Sequence, residues 1–278
     1  MQTLKGKVVA VTGAASGLGR SMALAFAAEG MEVALADLDE VNLSSVHDEV
    51  LAKGVRAIML RMDVSQAGQV ETFRDQTLAR LGGVHVVCNN AGVSALGAAW
   101  EVSVADWQWI LGVNLWGVIH GVRAFTPHLI AQNEGHVVNT ASVSGLISPP
   151  GGSAYNVTKH AVVTLSESLH HELRERNSRV GVSVLCPAYV PTRISDSERS
   201  RPQGSVSEKS KQTLAREAML KKAVASGKIS ADQVAQAVVA AVKEERFYIL
   251  THPRIKGAIQ ARMEDILQER APRDPMKL

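Results

Sequence analysis

Short apolar runs alternate with longer stretches of helical period along most of this chain. The runs predict strands over 7–11, 33–36, 55–60, 84–88, 136–140, 180–186 and 247–250. Between them, apolar residues recur at helical spacing over 18–30, 43–53, 70–81, 104–130, 153–176, 231–242 and 255–270. Leu18, Met22, Ala25 and Phe26, for example, fall on one helical face, and Gly30, Gly54 and Gly82 are stop signals for the first three helices. Strands alternating with helices imply a parallel sheet with helices on both faces. The expectation is one doubly wound α/β domain of about seven strands spanning 1–278, with no repeat, linker or low-complexity segment.

One stretch, 193–227, breaks this rhythm. It is polar, and between 193 and 222 it carries eight Lys/Arg against four Asp/Glu. It is expected to be an exposed helical insertion that forms a substrate lid. Composition narrows the picture further. The chain has 278 residues, 46% hydrophobic and 21% charged, enough for a sizeable core. A formal charge of +3 with no basic run argues against nucleic acid as a partner. No charged-then-apolar leader and no apolar run of ~18 residues are present, so neither a signal peptide nor a membrane span is expected, and a cytoplasmic location is. Cys88 and Cys186 lie in apolar runs and read as buried thiols rather than a disulfide.

The candidate chemistry begins after the first strand, at Thr12-Gly13-Ala14-Ala15-Ser16-Gly17-Leu18-Gly19. Glycines let a backbone turn sharply and approach a phosphate, and the helix behind them offers free N–H groups and a partial positive charge. The spacing is G-x-x-x-G-x-G rather than G-x-G-x-x-G, but strand, turn, helix and a later acid occur in the order of a dinucleotide fingerprint. The plainer alternative is a glycine-rich turn without a ligand. Asp37 ends the second strand, where a carboxylate accepts hydrogen bonds from both ribose hydroxyls and so favours NAD over NADP. A 2′-phosphate some 4 Å away would cost ~1–4 kcal/mol. No Arg or Lys stands within 13–19 or directly after Asp37 to hold such a phosphate. The alternative for Asp37 is a solvated loop acid.

A second cluster runs from Ser142 to Lys159. A Pro/Gly loop leads into a helix with Ser153 as the expected N-cap, and Tyr155 and Lys159, four apart, share a face. A phenol titrates near ~10, and a neighbouring ammonium lowers that value towards useful acid–base chemistry. Such a pair is also common on ordinary helix surfaces. Ser142 is placed to orient a substrate oxygen, and Ser144 is a second hydroxyl nearby. His170-His171-Glu172 lacks metal-ligand spacing, so no metal is expected.

Taken in order from Thr12 to Thr192, these motifs resemble the short-chain dehydrogenase/reductase family, a Rossmann-type NAD(P)-binding fold. The turn 12–19 is similar to the family's cofactor turn. Asp63-Val64 matches its adenine contact, Asn89-Asn90-Ala91-Gly92 the turn that steadies the sheet, and Asn114, Ser142, Tyr155 and Lys159 its catalytic tetrad. Ser142 is preferred over Ser144 because it stands thirteen residues before Tyr155, the common family spacing. The resemblance implies that Tyr155 exchanges the proton, that Lys159 lowers its pKa and binds the nicotinamide ribose, that Ser142 bonds the substrate oxygen, and that Asn114 holds a water of the relay. It implies cofactor contacts from Gly13, Ser16, Gly17, Leu18, Gly19, Asp37, Leu38, Asp63, Val64, Asn90, Ala91, Gly92, Tyr155, Lys159, Pro187, Val190 and Thr192. Where the family commonly has Pro-Gly, this chain has Pro187-Ala188-Tyr189, and Tyr189 is expected either to line the pocket or to be an ordinary half-buried aromatic. The implied activity is NAD-dependent interconversion of a secondary alcohol and a ketone, the lid suggesting a bulky steroid or aryl substrate. The implied assembly is a homo-oligomer, dimer or tetramer, packed through the two long helices. Two alternatives stand beside it: an NADPH-dependent carbonyl reductase, and a non-catalytic dinucleotide-sensing protein.

Overall fold

The computed structural model describes residues 1–201 and 209–277; residues 202–208, within the expected lid, lie outside the described residues. Seven strands, β1 (Val8–Thr12), β2 (Glu32–Asp37), β3 (Ala57–Arg61), β4 (Val86–Asn89), β5 (His136–Thr140), β6 (Gly181–Leu185) and β7 (Tyr248–Ile249), pair in the order β3-β2-β1-β4-β5-β6-β7, all parallel. The helices are α1 (Gly17–Ala28), α2 (Glu40–Leu51), α3 (Ala67–Leu81), α4 (Val104–Leu111), α5 (Gly117–Ala131), α6 (Ser153–Glu175), α7 (Lys211–Ala225), α8 (Ala231–Glu244) and α9 (Ile255–Leu267).

The central strands are buried at every position, as a parallel sheet covered on both faces requires. Successive residues point to opposite faces. Val9 and Val11 of β1 and Val33 and Leu35 of β2 therefore enter one core layer with α1, α2 and α8. Val8, Ala10, Ala34 and Ala36 enter the other layer with α3, α5 and α6. Strand order reverses between β1 and β4, and their carboxyl ends open the crevice in which such sheets bind ligands.

Two local differences from the sequence expectation matter. The predicted helix over 104–130 is two helices joined by one π-helical turn, Gly112–Trp116, and Asn114 sits in that turn. A π-turn inserts a residue and re-aims a side chain, and such turns favour functional sites. The N-cap of α6 is Gly152, with Ser153 already inside the helix, because Gly152 supplies the non-helical backbone that precedes it. Cys88 and Cys186 are buried free thiols. No helix among the described residues is long and apolar enough to cross a membrane.

Candidate active site

The turn after β1 is built on two bare Cα positions. Gly13 has φ +67°, and a Cβ there would lie 2.7 Å from the Ala91 Cα, so the turn abuts the end of β4. A Cβ on Gly19 would stand 2.0 Å from the Gly13 carbonyl oxygen, so only glycine lets α1 close onto the turn. Thr12 fastens the two strand ends: its Oγ1 accepts from the N–H groups of Asn90 (3.0 Å) and Ala91 (3.1 Å), and the Asn90 side chain donates to the Thr12 carbonyl at 3.0 Å. A buried polar ladder continues inward. Asn89 donates to Asn139 at 2.9 Å and Asn139 to Ser166 at 3.0 Å, linking β4 and β5 to the helix that carries Tyr155.

Around these ends lies a groove of about 540 Å³. Of the residues expected to bind the cofactor or carry the chemistry, all but Gly19 and Asn114 line it, from Leu38 and Asp63 at one end to Ser142, Tyr155 and Lys159 at the other. Gly19 stands behind the turn and shapes it. Asp37 accepts from the N–H of Ala15 (2.9 Å) and of Asp39 (3.0 Å), which fix its carboxylate at the lip. Asp63 accepts from Ser65 N–H at 2.9 Å.

At the other end, Lys159 is buried and donates through Nζ to the Thr140 carbonyl at 2.8 Å; the same nitrogen lies 5.6 Å from the Tyr155 ring centre. Burial pulls the Lys159 ammonium down to about 8. Burial also pushes the Tyr155 phenol up to about 12, opposed by a hydrogen bond with Ser142. The phenol is therefore raised rather than lowered as expected, because desolvation is the larger effect. Ser142 Oγ donates to the Pro187 carbonyl at 3.4 Å and accepts from Ser144 N–H at 3.2 Å; Ser142 lines the groove and Ser144 serves its turn. The Asn114 side chain is bound to both backbone groups of Val93, at 2.8 and 2.9 Å, and to Thr158 at 3.3 Å. A Cβ on Gly92 would lie 3.4 Å from Asn114 Oδ1 and 3.6 Å from Lys159 Nζ, so the two meet across that glycine.

Tyr189 is 42% exposed and Ala188 takes its expected place in the groove wall. Ala188 N–H donates to His252 Nδ1 at 3.2 Å, a support from beyond β7 that no sequence motif indicated. The start of the expected lid is a strap of 3-10 turns, Arg193–Ser200, followed after the undescribed stretch by α7. Ser197 Oγ accepts from Ser94 N–H at 2.9 Å. Arg201, its side chain 4% exposed, pairs with Asp106, forks onto Glu198 at 2.6 and 3.1 Å, and stacks 4.3 Å above the Trp109 ring. Arg193, Ile194, Arg199 and Arg201, all within the segment expected to form the lid, line the groove, although no motif singled them out individually. Among the described residues no cluster of His, Cys, Asp and Glu is arranged to hold a metal.

The groove fits a dinucleotide by its own chemistry. The turn leads straight into the N-terminus of α1, which favours an anion, and Asp37 fixes a carboxylate at the lip beside it, an acceptor suited to ribose hydroxyls. Comparison with known proteins agrees. Residues 7–203 match the family described as short chain dehydrogenase. A short-chain dehydrogenase/reductase from Burkholderia phymatum, solved in complex with NAD, superposes with a TM-score of 0.96 at 48% identity, covering 99% of each chain. A CLA biosynthesis dehydrogenase/reductase from Lactiplantibacillus plantarum is 32% identical over 98% of this chain and 97% of its own length. The 1-deoxy-11-beta-hydroxypentalenate dehydrogenase of Streptomyces exfoliatus is 31% identical over 95% of this chain and 89% of its own. On the matched segment, the seven-stranded parallel sheet and these relatives, the chain belongs to the short-chain dehydrogenase/reductase family of oxidoreductases.

Proposed function

We propose that the protein is an NAD-dependent dehydrogenase that interconverts a secondary alcohol and a ketone. The observation that carries the reading is the convergence of Ser142, Tyr155 and Lys159 on one wall of a groove whose far end is closed by the Asp37 carboxylate. Gly13, Ser16, Gly17, Leu18, Asp37, Leu38, Asp63, Val64, Asn90, Ala91, Gly92, Pro187, Val190 and Thr192 would hold the cofactor along that length. When bound, an oxidised nicotinamide supplies the hydride acceptor and a positive charge near the phenol.

The chain's own residues do the rest. Ser142 holds the substrate oxygen against Tyr155. The phenolate form of Tyr155 takes the alcohol proton as the hydride leaves, and the neutral phenol returns it in the reverse direction. Burial holds the Tyr155 phenol up at about 12, so the positive charge that Lys159 brings beside it is what would favour the phenolate. Lys159 at about 8 is mostly protonated at pH 7 and close enough to exchange a proton. Asn114, locked on Val93 beside Lys159, positions the relay's outer end.

Val93, Ala188, Val190 and Ile194 give the lining an apolar character. With relatives named for acting in CLA and pentalenate chemistry, this supports a bulky, largely apolar alcohol, and the strap with α7 serves as its lid. One observation favours a second reading, NADP use: Arg193 and Arg199 reach the ribose end from the strap. Titration with reduced NAD and reduced NADP, followed by fluorescence, decides between them. Tighter binding of the non-phosphorylated form is expected, and the reverse order would replace the first reading by the second.

A further inference from the structure

The strap brings three arginines to the groove, and their circumstances differ. Arg201 is committed to Asp106, Glu198 and the Trp109 ring. Arg193 pairs with Asp196 at 3.1 Å. Arg199 donates through Nη1 to the carbonyls of Arg193 (2.9 Å) and Asp196 (2.7 Å) and, among the described residues, has no carboxylate at ion-pair distance. Those two bonds fix the guanidinium on the strap and leave its Nε and Nη2 donors. Arg199 lines the groove with Gly13, Gly17 and Asp37.

A dinucleotide would bring two negative charges to the glycine turn. The α1 N-terminus offers only about half an elementary charge, the side chain at that corner, Asp37, is acidic, and Asp39, which caps α2, adds a second carboxylate nearby. A full positive charge is lacking from every motif residue near the turn, and the strap holds one in reach: Arg199 lies within electrostatic range of Asp37 and Asp39. The strap needs little ordering to present it, because Ser197 on Ser94 and Arg201 on Asp106 already pin it. A Cβ on Gly17 would lie 3.1 Å from Thr192, so the strap's root touches the turn itself. Two carboxylates at the ribose corner disfavour a third anion there, which directs the guanidinium to the diphosphate rather than to a 2′-phosphate.

We propose that Arg199 is the counter-ion of the cofactor's diphosphate, carried on the strap, so that dinucleotide binding and strap closure are coupled. The inference rests on the groove being the dinucleotide site. The test is calorimetric titration of wild type, Arg199→Gln and Arg199→Lys with NAD, NADP, ADP-ribose and adenosine, with thermal unfolding as a control on folding. Arg199→Gln is expected to weaken NAD and ADP-ribose by ~10–100-fold, as loss of a charge-assisted bond to phosphate does. Adenosine affinity stays unchanged, Arg199→Lys recovers part of the loss, and the salt dependence of NAD binding flattens. Equal NAD affinity in wild type and Arg199→Gln overturns the proposal. So does a loss shared by adenosine, which would mean a loosened strap, or a loss greater for NADP than for NAD, which would place the guanidinium at the 2′-phosphate. Failure of wild type to bind either NAD or ADP-ribose would remove the dinucleotide reading itself.

Discussion

The glycine turn and the strap, two walls of the one groove, are built in different ways. At the glycine turn, backbone meets backbone: Gly13 against Ala91, Gly19 against the Gly13 carbonyl, Asn90 onto Thr12. Nothing there can shift without moving β1, β4 and α1 together. At the strap, side chains reach across: Arg201 to Asp106 and Glu198, Ser197 to Ser94, Ser210 to Glu101 at 3.2 Å. The first region belongs to the global fold. The second is held by side-chain latches, and under the proposed function it is the part expected to open as a lid. A shared cofactor turn beside a separately latched lid is how one fold serves many substrates.

Substitutions can break this contrast. Gly19→Ala has the largest expected effect: its Cβ would clash with the Gly13 carbonyl, costing ~3 kcal/mol of global stability, the upper end for overpacking. The melting temperature falls and NAD affinity is lost; an unchanged melting temperature would mean that the turn is softer than its contacts imply. Arg201→Ala takes the guanidinium from the buried Asp106 carboxylate and from the Trp109 ring and weakens the latch by ~3 kcal/mol, the lower end for a broken buried pair. Here the expected readout is local: faster proteolysis in the strap and a raised KM, with cofactor affinity and melting temperature little changed. Asp37→Ala removes an acceptor fixed by two backbone N–H groups, and NAD affinity is expected to drop by ~1–2 kcal/mol while NADP affinity rises. Paired equilibrium titrations check that reversal.

Lys159→Met sets function against stability. The buried ammonium has a folded pKa of about 8 against an ordinary 10.5, so below pH 8 the folded state carries the full cost of burying the charge. As pH rises from about 8 towards 10.5, the folded lysine releases its proton before the unfolded one does, and wild-type stability recovers. The shift corresponds to ~3 kcal/mol at most, and loss of the bond to Thr140 offsets ~1–2 of it. Lys159→Met is therefore expected to unfold about 1 kcal/mol later than wild type at pH 7, with that margin vanishing above pH 8, and to be inactive. Denaturant midpoints across pH measure it. A variant that is less stable at pH 7 would show that the bond outweighs the burial.

The division between turn and strap is also the division between what sequence showed and what it did not. Strands, helices and the turn 12–19 were legible because apolar period and glycine spacing are local properties; the order of the strands in the sheet is not local and was not read from them. Helical spacing puts Tyr155 and Lys159 on one face, but that spacing is common on ordinary helices, and it was the ordered motifs from Thr12 to Thr192 that singled the pair out. Asn114's setting was not, since a π-turn within a continuous helical pattern leaves no mark on apolar period. The phenol's raised pKa was not either, because desolvation depends on what the whole site covers. The lid over 193–227 was expected as a whole, but which of its residues enter the groove was not, because Asp106, which holds Arg201, and Asp37, which lies within electrostatic range of Arg199, are remote from them in the chain. His252 escaped for the same reason: a lone histidine after a short last strand carries no motif, yet it holds the Ala188 N–H.

The account stands most directly on Tyr155. Absorbance of reduced nicotinamide should be followed for wild type and Tyr155→Phe with NAD and a panel of secondary alcohols from small aliphatic to steroid and aryl, alongside NAD affinity for both proteins. The expected result is wild-type turnover on a bulky member, with NAD binding preserved in Tyr155→Phe and turnover reduced by ~10²–10⁴-fold, the range for loss of a general acid–base group. Undiminished turnover in Tyr155→Phe would contradict the assignment of the proton transfer to this phenol.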